Sequence, residues 1–141
     1  MDDLITVYEV GPRDGLQNEA TQVSTETKLA LIDGLVGAGL HHIEATSFVH
    51  PKAVPQLADA DAVMAASVEQ HRGHGIELVG LVFNDIGYDR AIAAGCQSMA
   101  FGVAVSDTFS RRNTRNSRSD ALATAEALIE RAKGDRIRTR A

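Results

Sequence analysis

Apolar residues along the chain recur in two alternating patterns: short continuous runs, and longer stretches with a spacing of three to four residues. The short runs predict strands at 4–10, 42–47, 76–83 and 98–105, and the start of a fifth at Ile137. The longer stretches predict helices at about 24–37, from Pro55 through Val63 to about 73, at 84–94, and from about 117 onward. Such alternation of strands and helices is typical of a parallel α/β fold.

Capping residues mark the ends of these predicted helices. Ser24, Asn84 and Ser117 each precede a helix and can accept a hydrogen bond from its first turn. Gly37 and Gly95 follow the apolar spacing and predict where two of the helices end. The segment 106–116 is polar and arginine-rich, so we expect a long loop there.

Size and composition narrow the class of protein. The 141 residues fit one domain, 1–141, that buries a substantial core. A net charge of −5 gives no basic excess for nucleic acid, and no apolar run approaches the roughly 20 residues of a membrane span. One cysteine excludes an internal disulfide, and the start Met1-Asp2-Asp3 lacks the basic region of a signal peptide. We therefore expect a cytoplasmic protein that binds neither nucleic acid nor membrane.

The stretch with the clearest chemistry follows the first predicted strand. Gly11 and Pro12 predict a stiff turn that leads directly into Arg13 and Asp14. A carboxylate oxygen suits Mg²⁺ or Mn²⁺, and a planar guanidinium suits a carboxylate or a developing enolate oxygen. Together they could hold an oxyanion substrate on a metal, although a solvated turn with a weak surface ion pair has the same pattern.

Three segments resemble the 3-hydroxy-3-methylglutaryl-CoA lyase family, part of a superfamily of metal-dependent lyases and Claisen-condensation enzymes built on a TIM barrel. Residues 10–19 (Val-Gly-Pro-Arg-Asp-Gly-Leu-Gln-Asn-Glu) resemble the first-strand signature, 43–56 the second-strand segment, and 101–113 the fourth. The resemblance covers nearly the whole chain in order, so it is more specific than a single motif. It implies a partial TIM (β/α)8 barrel of about four βα units plus the start of a fifth strand, because a whole barrel takes about 250 residues.

The same resemblance implies a reaction, a cofactor and a substrate class. The family cleaves 3-hydroxy-3-methylglutaryl-CoA to acetyl-CoA and acetoacetate by a retro-Claisen reaction that uses a divalent cation, Mg²⁺ or Mn²⁺. The acyl-CoA is then the small-molecule partner. Asp14 matches the family's metal ligand, and Arg13 matches the arginine that binds substrate and stabilises the enolate.

Four further residues match polar positions of the family site. Glu44 interrupts an apolar strand near its carboxyl end, where a carboxylate is costly unless it is paired or used, and it matches a catalytic acid. Glu9 matches a second acidic residue of the site, with an ion-paired or structural role as the alternative. Gln17 and Ser47 match substrate-binding positions, and turn or supporting hydrogen bonds explain them equally well.

Other parts of the family site have no match in this chain. The family also uses a His-x-His pair and a cysteine on a glycine-rich loop, and neither is present. We expect the remaining candidates to be solvated histidines and a buried thiol: His50, His71, His74 and Cys96. The resemblance then implies the N-terminal half of a lyase, and we expect the chain to work as a homo-oligomer or with its missing C-terminal half and to turn over substrate negligibly alone.

Three alternatives stay open. A related acyl-CoA lyase or Claisen-condensation enzyme shares the Arg-Asp start. A non-catalytic remnant of the barrel could self-associate through its open sheet edges. The structural alternative is a self-contained, doubly wound sheet of five strands.

Overall fold

The computed structural model describes residues 5–114 and 116–141, so the sequence-based predictions for Leu4 and Arg115 lie outside the described residues. Strands and helices alternate along the described chain. In order they are β1 (Tyr8–Glu9), α1 (Thr25–Gly37), β2 (His42–Ser47), α2 (Ala60–Gln70), β3 (Glu77–Val82), α3 (Asp85–Ala93), β4 (Ser98–Phe101), α4 (Asp107–Thr114), α5 (Arg118–Gly134) and β5 (Arg138–Arg140). A π-helical turn at Gly11–Gly15 and a 3₁₀ turn at Pro55–Leu57 complete the regular structure.

All five strands form one parallel sheet in the order β1-β2-β3-β4-β5. A doubly wound sheet changes direction in its strand order, whereas a (β/α) barrel adds each strand beside the previous one. The sequential order therefore supports the partial barrel and not the doubly wound alternative. It also brings the carboxyl ends of β1 and β2 together at one rim.

Buried apolar side chains form two clusters on opposite faces of the sheet. The larger one contains residues from both strands and helices, including Ile32, Ile43, Met64 and Leu128. The smaller one, built on Val79, Leu81 and Ala100 with Tyr8 and Phe83 packed against it, contains strand residues and the residue after β3. Among the described residues, helices thus cover one face of the sheet, and the other face is the inner surface of the barrel wall.

The predicted helix caps are confirmed. Ser24, Asn84 and Ser117 each accept a hydrogen bond from a backbone amide in the first turn of the following helix. Gly95 has a φ of +78°, a left-handed conformation that ends α3 as expected. Strand β2 has the predicted bounds, and Cys96 is buried.

Some predicted boundaries are wrong. β1 is only two residues long because it is an edge strand whose register begins at His42, the first residue of β2. β3 and β4 are also shorter than predicted, and α2 ends at Gln70 instead of near residue 73. His71 is not solvated, because its Nε2 lies 3.1 Å from Asp33 Oδ1 and its side chain is largely buried.

The predicted loop at 106–116 is largely helix α4. Ser106 Oγ accepts a hydrogen bond from the amide of Phe109, and the Ser106 carbonyl accepts one from the amide of Ser110. Asp107 and Arg111, one turn apart, form an ion pair. Capping and charge pairing thus form a helix whose sequence lacks an apolar stripe. None of the helices found over 5–114 and 116–141 is long and apolar enough to cross a membrane.

Candidate functional site

The candidate site lies where β1 and β2 end at the same rim of the sheet. Residues Gly11–Gly15 leave β1 in a π-helical turn, which carries Arg13 and Asp14. Glu44 lies on the neighbouring strand β2. Because both strands are parallel and adjacent, the turn after β1 lies against β2, and Arg13 connects Asp14 with Glu44.

Arg13 joins two carboxylates. Its Nε donates a hydrogen bond to Glu44 Oε1, and its Nη1 lies 2.6 Å from Asp14 Oδ1. The Glu44 side chain is 4% exposed, that of Arg13 is 17% exposed and that of Asp14 is 54% exposed. Burial of the Glu44 charge is compensated by the guanidinium, while the Asp14 carboxylate keeps access to solvent and to a ligand.

The turn is held by its own backbone and by Glu9. The amide of Asp14 donates to the carbonyl of Val10 at 2.7 Å, and Pro12 is buried beneath the turn. Glu9 Oε1 accepts a hydrogen bond from the amide of Gly11 at 2.6 Å. A Cβ at position 11 would lie only 2.8 Å from that oxygen, so a larger residue there would displace the Glu9 carboxylate from the turn. The stiffness expected from the Gly-Pro pair thus has a geometric basis.

The other predicted site residues are placed in different ways. Glu9 lies opposite Ile43 in the strand register and is bonded to the turn, so the structure does not bring its carboxylate onto Arg13. Ser47 is buried, and its Oγ donates to the carbonyl of Leu81 at 3.3 Å. Gln17 is half-buried just after the turn. Their catalytic and substrate-binding roles stay predictions.

The residues present supply only part of a site for a divalent cation. Asp14 offers one accessible carboxylate of the right chemistry. Over the described part of the chain, however, there is no group of three or more histidine, cysteine or acidic side chains that could hold a metal. Glu44 is already paired with Arg13. These residues alone therefore form an incomplete ligand set.

A second polar cluster, which we call the amino-end cluster, lies at the opposite end of the same strands. It consists of the first residue of each strand: Tyr8, His42, Glu77, Ser98 and Arg138. Glu77 Oε2 lies 2.6 Å from His42 Nδ1 and accepts from the Tyr8 hydroxyl at 3.3 Å, while Oε1 accepts from Ser98 Oγ at 2.7 Å. Arg138 Nη1 is 3.9 Å from Oε1. The cluster was missed in the sequence, although a polar residue at the start of each strand was a usable signal.

Burial has different net effects on the pKa values of Glu77 and of the neighbouring Cys96. Burial of Glu77 raises its pKa, but hydrogen bonds from Ser98 and His42 and the charge of Arg138 outweigh that effect, so its pKa is lowered from 4.5. Burial raises the pKa of the Cys96 thiol to about 11. A thiol that stays protonated at neutral pH is a poor nucleophile, which agrees with the prediction that Cys96 is structural.

Comparisons with known proteins identify the family. Residues 5–140 match the HMGL-like family model. The hydroxymethylglutaryl-CoA lyase of Pseudomonas mevalonii is 39% identical over 136 residues, which cover 96% of this chain and 44% of that protein. The 3-hydroxy-3-isohexenylglutaryl-CoA/hydroxymethylglutaryl-CoA lyase of Pseudomonas aeruginosa is 38% identical, with coverage of 96% and 44%.

A solved structure gives the same result for the fold. The HMG-CoA lyase of Acinetobacter baumannii, in complex with coenzyme A and 3-methylmalate, superposes with a TM-score of 0.88 at 36% identity. The match covers 97% of this chain and 44% of that one. This chain therefore spans less than half the length of the relatives and the structure it matches.

The sequential parallel sheet, with polar groups at its carboxyl rim, defines part of a TIM barrel, and the proteins that it resembles are lyases. More specifically, the chain belongs to the HMGL-like family.

Proposed function

We propose that this chain supplies Arg13, Asp14 and Glu44 to a carbon–carbon lyase that cleaves 3-hydroxy-3-methylglutaryl-CoA to acetyl-CoA and acetoacetate. The observation that carries the proposal is the Arg13 guanidinium held between two carboxylates at the carboxyl rim of the sheet. Membership of the HMGL-like family and similarity to lyases over 96% of the chain support this choice of reaction. A cytoplasmic location stays a prediction.

The proposed reaction requires a cation near the thioester oxygen, because negative charge develops there. A base removes the proton of the tertiary hydroxyl, the hydroxyl carbon becomes the ketone of acetoacetate, and the carbon–carbon bond breaks. The electron pair of that bond moves into the thioester enolate, which takes up a proton to become acetyl-CoA. Arg13 uses one N–H on each carboxylate and keeps its remaining N–H donors for the enolate oxygen.

The acidic residues have separate proposed roles. Glu44 orients Arg13 and is the candidate acid or base nearest to it. Asp14 is the proposed contribution to binding of Mg²⁺ or Mn²⁺, with the other ligands supplied from outside the described residues. Glu9, Gln17 and Ser47 are proposed to line the acyl-CoA site. The segment equivalent to the unmatched part of the relatives is proposed to complete it.

Reconstitution tests this proposal. The chain alone, assayed with Mg²⁺ and 3-hydroxy-3-methylglutaryl-CoA, is expected to show negligible formation of acetoacetate. Fusion to the unmatched C-terminal part of the Pseudomonas mevalonii lyase is expected to give turnover, and Arg13→Gln in the fusion is expected to lower kcat by about 10²- to 10³-fold. A folded fusion that binds coenzyme A but is inactive would contradict the proposal, as would turnover by the chain alone at the rate of a complete lyase.

A related acyl-CoA substrate is a second candidate. The Pseudomonas aeruginosa relative is named for activity on both an isohexenylglutaryl-CoA and the methyl compound, at 38% identity to this chain. Comparison of kcat/KM for the two acyl chains in the fusion decides between them. A higher value for the isohexenyl substrate would reassign the preferred acyl chain without changing the reaction class.

Self-association as a non-catalytic module is the candidate from a different class. The segment before β1 carries Ile5, 87% exposed, and Val7, 57% exposed, beside the open edge of the sheet. Light scattering after size exclusion measures the mass of the chain, which is 15.0 kDa as a monomer. A dimer that Val7→Lys dissociates would favour this candidate, whereas a monomer at all concentrations would exclude it. The matched control is Ile86→Lys on α3, another exposed apolar position.

A further inference from the structure

The chain segments that follow Arg13 and Glu44 are fastened to each other away from the site. Gln56 Nε2 donates to the carbonyl of Glu19 at 2.8 Å, and Gln22 Nε2 donates to the carbonyl of Pro55 at 3.0 Å. Both bonds join the segment between β1 and α1 to the segment between β2 and α2. Two side chains thus hold together the two loops that begin at the candidate site.

A buried ion pair reinforces this connection. Lys28, 4% exposed in the first turns of α1, donates its Nζ to Asp59 Oδ1 at 2.5 Å and to the carbonyl of Gln56 at 2.6 Å. Asp59 Oδ2 accepts from Thr25 Oγ1 at 2.7 Å. Because a buried lysine is strongly unfavourable without such partners, this arrangement fixes α1 against the end of the second loop. We call Gln22, Lys28, Gln56 and Asp59 the loop bridge.

The loop bridge makes the position of Arg13 less dependent on its own ion pair. Arg13 is attached to β2 through Glu44, and the chain after it is attached to the β2–α2 segment through the loop bridge. Between these points, Asn18 Nδ2 donates to the carbonyl of Asp14 at 3.1 Å. The segment that carries Arg13 is therefore held at both of its ends.

We propose that Lys28, Asp59 and Gln56 are positioning residues that keep the Arg13 guanidinium aligned on Glu44. If the proposed lyase function holds, this alignment directs the remaining N–H donors of Arg13 at a substrate oxygen while its loop stays in place. The alignment itself does not depend on substrate, and it can be measured in the chain alone.

Nuclear magnetic resonance of the Arg13 Nε–H group tests the proposal. Gln56→Leu removes the bond to Glu19 without touching the buried lysine, and Lys28→Met removes the buried charge. Because a hydrogen bond contributes about 0.5–1.5 kcal/mol, we expect solvent exchange of the Arg13 Nε proton to accelerate about 2- to 10-fold in Gln56→Leu. We expect a larger acceleration in Lys28→Met, with amides in β4 unchanged in both variants.

The matched control is Gln70→Leu. Gln70 joins the same two helices through Asp33, farther from the loops, so its loss is expected to lower stability without changing the Arg13 signal. Unchanged Arg13 exchange in Gln56→Leu, or an equal acceleration in Gln70→Leu, would overturn the proposal. If Lys28→Met does not fold, the exchange of the Arg13 Nε proton in Gln56→Leu is sufficient to test the positioning proposal. Failure of the fusion to act as a lyase would leave the Arg13 measurement intact, so the two proposals fail separately.

Discussion

Two charged clusters occupy opposite ends of the same parallel strands, and they differ in how far the chain satisfies its own polar atoms. At the amino end, side chains from β1, β2, β4 and β5 all contact Glu77, whose own side chain is largely buried. At the carboxyl end, Asp14 pairs with Arg13 and its side chain remains 54% exposed. In barrels of this type, residues at the amino end contribute to stability and residues at the carboxyl end bind substrate. The contrast shows that a binding site can be recognised by polar side chains that remain exposed and able to bond a ligand.

The largest expected effect is on kcat, when an arginine at each end of the strands is replaced by glutamine. In the fusion with the relative's C-terminal part, Arg13→Gln is expected to lower kcat by about 10²- to 10³-fold, because a donor aimed at the developing charge is lost. Arg138→Gln is expected to change kcat by less than about 3-fold, because its exposed guanidinium only supports Glu77 from a distance. Steady-state kinetics of both variants checks this. Equal losses of kcat would remove the functional distinction between the clusters.

Stability is expected to show the opposite ranking. Glu77→Gln leaves the donors of His42 and Ser98 without an anionic acceptor, so the free energy of unfolding is expected to fall by roughly 2–3 kcal/mol. Asp14→Asn affects an exposed ion pair and is expected to cost less than about 1 kcal/mol. Urea denaturation of the chain gives both values. A larger loss for Asp14→Asn would show that the carboxyl rim, and not the amino end, stabilises the sheet.

A smaller effect is expected in the pH dependence of stability. The pKa of Glu77 is lowered from 4.5 in the folded chain, so its contribution is fully present above pH 4.5 and is lost as the pH falls through the folded value. Denaturation curves of the original chain and of Glu77→Gln, measured between pH 7 and pH 3, isolate this contribution as their difference. That difference is expected to shrink below pH 4.5. A difference that stays constant or grows on acidification would contradict the bonding found around Glu77.

Local signals in the sequence were sufficient for most of the fold. β2 was predicted with its observed bounds because its apolar run ends in polar residues, and α1, α3 and α5 were located by capping residues next to them in sequence. α4 was missed because its stabilisation comes from the Ser106 cap and the pair of Asp107 with Arg111, and not from an apolar face. Apolar spacing in the sequence thus predicts helices that pack against the core, and it misses helices that are stabilised by their own polar side chains.

The candidate site was predictable only in part. The sequence pattern indicated Arg13, Asp14 and Glu44, the resemblance added their roles, and the parallel order of the strands explains why the first two approach the third. It did not indicate that Glu9 bonds to the turn backbone, because that contact depends on the shape of a π-helical turn. The partners of Lys28 and His71 come from distant parts of the chain, so no local pattern identified them. Contacts of this kind become visible only with the tertiary structure.

The buried Cys96 thiol can be used to measure transient opening of the core. Its Sγ donates to the carbonyl of Ser98 at 3.0 Å, and the thiol is 2% exposed beneath the sheet. A thiol-specific reagent can reach it only when the core between the sheet and the helices opens. At neutral pH the labelling rate therefore rises with the population of the open state, and it shows whether a change at either rim destabilises the core of the molecule.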